Sequence, residues 1–148
     1  MGDSSNGLLA LGGLLSFLAA AAHLACIAIG APAYRAMGAG EGMAKLAESG
    51  HWYPTAITLA ISSLLAVWGL YAFSGAGVVR RLPFLRSALC AIATIYLARA
   101  VAFPLLTPYF PGNSLQFWVI SSAICFVLGA TYMAGIVRGW SRLGAAVV

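Results

Sequence analysis

Few side chains in this chain can carry charge or exchange protons, and the informative ones lie inside long apolar runs: His23, Ser62, Tyr96, Arg99 and Ser122. His23 is in the run 8–30, Ser62 in 54–73, Tyr96 and Arg99 in 84–106, and Ser122 in 114–137. An ionisable group buried in such a run is costly, so its default reading is functional. His23 and Arg99 each stand seven residues from the outer end of their runs, roughly 10 Å deep at about 1.5 Å per helical residue. Ser62, Ser121 and Ser122 fall at the same level, Tyr96 one turn below, and Thr58 and Gln116 about a turn above. No run contains a carboxylate, so Arg99 needs another partner: neutral His23, the Tyr96 hydroxyl, carbonyls released near Pro104, or Glu41 from a connecting segment. The chemistry this layer suits is capture of an anion, a lipid phosphate or small carboxylate, with Arg99 as the anchor. Plainer readings compete with it. Arg99 can reach outward to headgroups, His23 can serve packing alone, and Glu41 can belong to a solvated surface with Arg35, Glu48 and His51.

Other chemistries find no constellation. The sequence has no H-x-x-x-H or H-E-x-x-H spacing, and only His23 of the two histidines is intramembrane, which leaves no metal or haem site and no cofactor to assign. Asp3 is the only aspartate, so there is no Ser-His-Asp set and no catalytic residue to name. Cys26, Cys90 and Cys125 stand singly in apolar runs and read as small core residues.

The elements that position these groups are helices long enough to cross a bilayer. The run 8–30 covers about 35 Å, and its Gly12, Ser16, Ala19, His23, Cys26 and Gly30 recur at helical steps on one small or polar face. That face is expected to meet other helices, with Leu8, Leu11, Leu15, Leu18 and Ile29 opposite. Pro32 ends or kinks the first helix, Gly38 or Gly40 supplies a stop, and Glu41–Ser49 reads as a short amphipathic helix at the membrane interface. His51, Trp52 and Tyr53 form an aromatic belt before Pro54 opens the second span. Pro83 opens the third, Pro104 and Pro108 close it, and a turn-rich loop leads to the fourth, where Ser121, Cys125 and Gly129 form a second small-residue face. The expected fold is an all-α integral membrane protein: one domain, an antiparallel bundle of four transmembrane helices with a short interfacial helix between the first two.

Composition agrees with that. Hydrophobic residues make up 62% of the 148 and charged ones 7%, against about 25% charged in soluble domains. The net charge of +5 is scattered between apolar runs and forms no nucleic-acid stripe. Arg80, Arg81, Arg86, Arg138 and Arg142 fall on one side and Arg35 and Lys45 on the other, which places both termini in the cytoplasm. Residues 1–7 lack a basic signal-peptide start, and M-G-D-S-S-N misses the acylation pattern at Asn6, so the first run is kept as a mature helix. The abundance of Ala, Gly and Arg over Lys points to a GC-rich bacterial genome.

The run G-A-P-A-Y-R-A-M-G-A-G-E, with S-G-A-G-V-V-R-R-L-P-F-L-R and Y-L-A-R, resembles a group of uncharacterised bacterial four-helix inner-membrane proteins over about residues 22–103. The resemblance implies that topology and brings no activity. Three function classes follow: binding or translocation of a lipid or small amphipathic anion in the outward polar layer, an accessory subunit or homo-oligomer packing through the small-residue faces, and a membrane enzyme using His23 with Arg99.

Overall fold

The computed structural model describes residues 6–144, and every regular element among them is helical. The acylation reading of the first residues and the chain ends lie outside the described residues. Helix α1 spans Gly7–Ile29, α2 Ala31–Ala36, α3 Glu41–Glu48, α4 Trp52–Ala76, α5 Leu85–Val101, α6 Phe103–Leu106 and α7 Leu115–Gly144, with a 3-10 turn at Thr107–Tyr109. Three of these, α1, α4 and α7, are long and apolar enough to cross a membrane, and α5 with the segment after it makes a fourth if that bent pair is one crossing. The chain is therefore a multi-pass membrane protein by length and composition.

Each start and stop has a local cause. Asn6 accepts a hydrogen bond from the Leu9 N–H and caps α1, while its amide nitrogen donates to the Gly135 carbonyl at 2.7 Å. One buried side chain thus sets both the start of α1 and its register on α7. Helix α1 stops at Gly30, whose φ of +82° few other residues adopt, and Pro32 follows inside α2. Gly77, in the left-handed region, ends α4. The Ser74 hydroxyl then donates to the Arg80 carbonyl and accepts from the Leu82 N–H, closing the turn that leads to α5.

Two expected boundaries are corrected. The third helix does not continue to Leu106: it stops at Val101, and the chain bends by 67° into Phe103–Tyr109. Pro104 has no N–H to offer, and its ring would crowd the carbonyl of Ala100. The 17 residues of α5 reach about 25 Å, short of a hydrocarbon core of about 30 Å. Helix α7 runs past Val137 to Gly144, 30 residues in all. Its last turns are held by arginines: Arg81 donates to the carbonyls of Arg142 and Leu143, and Arg86 donates to that of Trp140 at 2.9 Å. Carbonyls without intrahelical partners are thereby satisfied at the negative end of the helix.

Small residues let the long helices approach. A Cβ on Gly13 would sit 3.1 Å from the Gly69 carbonyl oxygen, and one on Gly69 would sit 3.2 Å from that of Gly13. Gly129 lies against Leu97 and Gly135 against Leu9 in the same way. Contacts run in opposite chain order: Asn6 meets Ala76 and Phe17 meets Gly69, while Asn6 meets Gly135 and Ser16 meets Tyr132. The core holds Leu9, Leu89, Ile136 and Tyr132, all essentially without solvent contact. A smaller cluster of Cys26, Ala31, Ala33, Tyr34 and Ala44 packs α2 and α3 over the end of α1.

Candidate functional site

Arg99 lies in the last turn of α5 and turns its guanidinium onto α7. Its Nη2 donates to the Ser121 hydroxyl at 3.3 Å, and the group stands 5.4 Å from the centre of the Trp118 ring, within cation–π range. Ser121 passes its own proton to the Trp118 carbonyl, which fixes it as the acceptor. These partners replace the ones expected for Arg99. Tyr96 points to the bundle centre, and Glu41 and Glu48 both bind Arg35, at 2.8 and 2.9 Å. The second nitrogen, Arg99 Nη1, is buried without a partner.

Two more buried polar atoms have no partner, the hydroxyls of Ser62 on α4 and Ser122 on α7. Cross-helix register brings them to one level. Phe17 meets Gly69, so about two turns further out Ser62 comes level with His23. Gly12 meets Tyr132, so about three turns further along both helices His23 comes level with Ser121 and its neighbour Ser122, and Ser121 holds Arg99. The His23 ring is half-buried, and its Nδ1 donates to the Ala19 carbonyl at 2.8 Å. Because a carbonyl only accepts, Nδ1 carries the proton and a neutral ring presents Nε2 as an acceptor. No hydrogen bond joins His23 to Arg99; they share a level and not a contact.

No protein-family model, curated protein or solved structure matches this chain.

Just inward of the layer, a groove of about 400 Å³ opens between α1 and α7. Leu15, Leu18 and Ala19 form one wall and Ala123, Ile124 and Val127 the other, and almost all of its lining is apolar. Its outer end is Ala19, the residue whose carbonyl holds His23. A polar level thus caps an apolar channel.

The remaining expected residues fall elsewhere. Tyr96 is 3.1 Å from the Ser16 hydroxyl and packs edge-on against Trp68. Ser16 also lies 2.8 Å from the Tyr132 hydroxyl, which donates in turn to the Trp68 carbonyl at 3.1 Å. This closed network at the bundle centre was missed from sequence. The signal was available: a tyrosine buried in a membrane helix needs a partner for its hydroxyl, and Ser16 is on the small-residue face of α1. Glu41 sits outside the layer, half-exposed, where its hydrogen bonds from Arg35 hold its carboxyl below the usual range and Arg35 is pushed up in turn. Thr58, a turn above the layer, donates to the Pro54 carbonyl and lies 3.2 Å from the Tyr34 hydroxyl, tying α2 to α4.

Proposed function

We propose that this is an inner-membrane protein of bacterial type, an antiparallel bundle of four transmembrane helices that holds an anionic amphiphile by Arg99. The observation that carries the reading is Arg99 Nη1, a buried cationic donor with no partner, at the level of two buried hydroxyls that also lack one. A guanidinium in hydrocarbon costs at least about 2.5 kcal/mol, and one long hydrogen bond with a ring contact of about 0.5–2 kcal/mol offsets only part of it. A phosphate or carboxylate oxygen at Nη1 would complete the balance through a charge-assisted bond, with Ser62 and Ser122 donating to its other oxygens. The groove beneath then takes the ligand's chain, so a lipid fits better than a small soluble anion.

In this reading the cation-rich ends face the cytoplasm together with both termini, and α3 lies at the outer interface with Arg35, Glu41 and Glu48 in water. The likeness to four-helix inner-membrane proteins has the same topology. On the small-residue faces that would support an accessory subunit, Gly12 is occupied within the chain by Tyr132 and Gly129 by Leu97.

Lipid retention after extraction in native membrane patches tests the proposal. Wild type is expected to carry a phospholipid or fatty acid at fixed stoichiometry. Arg99→Gln should lower that retention about tenfold, the equivalent of about 1.4 kcal/mol, and His23→Ala should lower it less. Retention untouched by Arg99→Gln would remove the binding role.

A further inference from the structure

The opposite end of the bundle carries a second concave site. Where the α4–α5 turn meets the end of α7, a pocket of about 310 Å³ is lined by residues 81–87 with Leu143 and Gly144. We propose that it binds the phosphate of an anionic phospholipid. The inference rests on the bundle spanning a bilayer and does not depend on the Arg99 layer.

Three independent features converge there. Arg81 and Arg86 are held rigidly, Arg81 by the carbonyls of Arg142 and Leu143, and Arg86 by the Trp140 carbonyl and by stacking 4.3 Å over the Trp140 ring. A guanidinium has five N–H donors, so these bonds leave most of them unused, and Arg86 Nε is buried with no partner at all. The start of α5 also opens into the pocket. Its N-cap Phe84 offers no side-chain oxygen, so the N–H groups of the first helical turn keep their positive end uncovered. Finally, among the described residues no carboxylate lies at this end, since Glu41 and Glu48 hold Arg35 at the other.

The depth of the site selects the source of the phosphate. Phe84 is 85% exposed and is held at φ +52°, a left-handed conformation uncommon for a bulky residue. Trp140, 49% exposed, stands beside Arg86. Aromatic side chains of this kind sit at headgroup level, so the arginines meet lipid phosphates rather than bulk solution. Uncapped amides and two anchored guanidiniums suit the two unesterified oxygens of a phosphodiester.

The test uses the full chain in nanodiscs of mixed phosphatidylglycerol and phosphatidylcholine, with bound lipids counted by native mass spectrometry. Wild type should retain phosphatidylglycerol in preference, and equal retention of the two lipids overturns the proposal without any variant. The pair Arg81→Gln and Arg86→Gln should cut the preference by about fivefold per arginine, whereas Arg138→Gln, on α7 outside the pocket, should leave it in place. Loss of the preference in Arg99→Gln alone, with the pair unaffected, would move the anionic site to the other end and overturn the assignment. Because the pair also caps α7, Arg86→Lys is the check on folding. It keeps the charge and loses the buried Nε donor, so the preference should fall while helicity and melting temperature hold; a preserved preference counts against the pocket. Added inorganic phosphate should displace little lipid. Displacement by phosphate as effective as by soluble lipid would mean a site for free oxyanions and would sink the lipid assignment.

Discussion

Replacing Gly69 by alanine puts a methyl group where α1 and α4 come closest. The new Cβ would stand 2.7 Å from the Phe17 ring and 3.2 Å from the Gly13 carbonyl oxygen. The ring can swing away, but it would then leave its stack on Phe73, now at 5.5 Å between centres and 25° between planes. The carbonyl is backbone and cannot move without shifting α1. Overpacking of this kind costs about 1–3 kcal/mol and loss of the stack about 0.5–1.5, offset by about 0.5–1 from alanine's better helix propensity. The expected net loss is therefore about 0.5–4 kcal/mol. Reversible unfolding in mixed micelles by titration with a denaturing detergent measures it. Gly42→Ala is the opposing control: the site is helical with nothing within 4 Å of the new Cβ, so stability should hold or rise by up to about 1 kcal/mol. Phe17→Leu in the Gly69→Ala background should recover part of the loss by making room. A Gly69→Ala protein at least as stable as wild type would refute the close approach of α1 and α4 and the register that levels Ser62 with His23.

Tyr132→Phe removes the hydroxyl bonded to Ser16 and Trp68, and detergent unfolding should show a loss of about 1 kcal/mol, more than for Tyr96→Phe with its single contact to Ser16. Glu41 has a lowered pKa from its Arg35 hydrogen bonds, so the ordering of α2 and α3 that it supports is full above the unfolded value of about 4.3 and is lost as pH falls through the lower folded value. Protection of residues 31–48 from hydrogen exchange, taken relative to the intrinsic rate at each pH, should hold from neutral pH to about 5 and fall below about 4, and Glu41→Gln should abolish the step. Single cysteines at Val78 and Gly112 should label from opposite sides of the membrane, Gly112 from outside. Val78 is used because its neighbour Gly77 has a φ of +80° that a cysteine would strain.

The helices were legible because apolar runs of 20 residues or more have no other stable form in a bilayer, and because proline and glycine punctuate them. Which face of α1 turns inward was legible in part: Gly12, Ser16 and Cys26 are buried and Leu11, Leu18 and Ile29 exposed, but Leu15, expected on the lipid side, packs against the core. The second inward stripe, Leu9 with Gly13, was not read, because in a helix that is apolar all round the pattern does not separate lipid from protein. The short α5 escaped for a different reason. Pro104 was read as closing the span near itself, yet the steric effect of proline acts up to four residues earlier. Of the expected site residues, His23, Arg99, Ser62 and Ser122 share a level because depth can be counted along a helix. Trp118 and the arginine caps of α7 were invisible, since side-chain direction depends on how two helices pack.

The most direct test of Arg99 as an anion anchor is nitrogen–phosphorus recoupling by solid-state NMR on guanidinium-labelled protein in its native lipid. The Arg99 signal is assigned by its disappearance in Arg99→Gln. If Arg99 anchors a lipid phosphate, that signal dephases strongly against phosphorus, and the dephasing persists when the sample is washed with high salt. A guanidinium close to no phosphorus, with retention of fatty acid also unchanged in Arg99→Gln, would contradict the account.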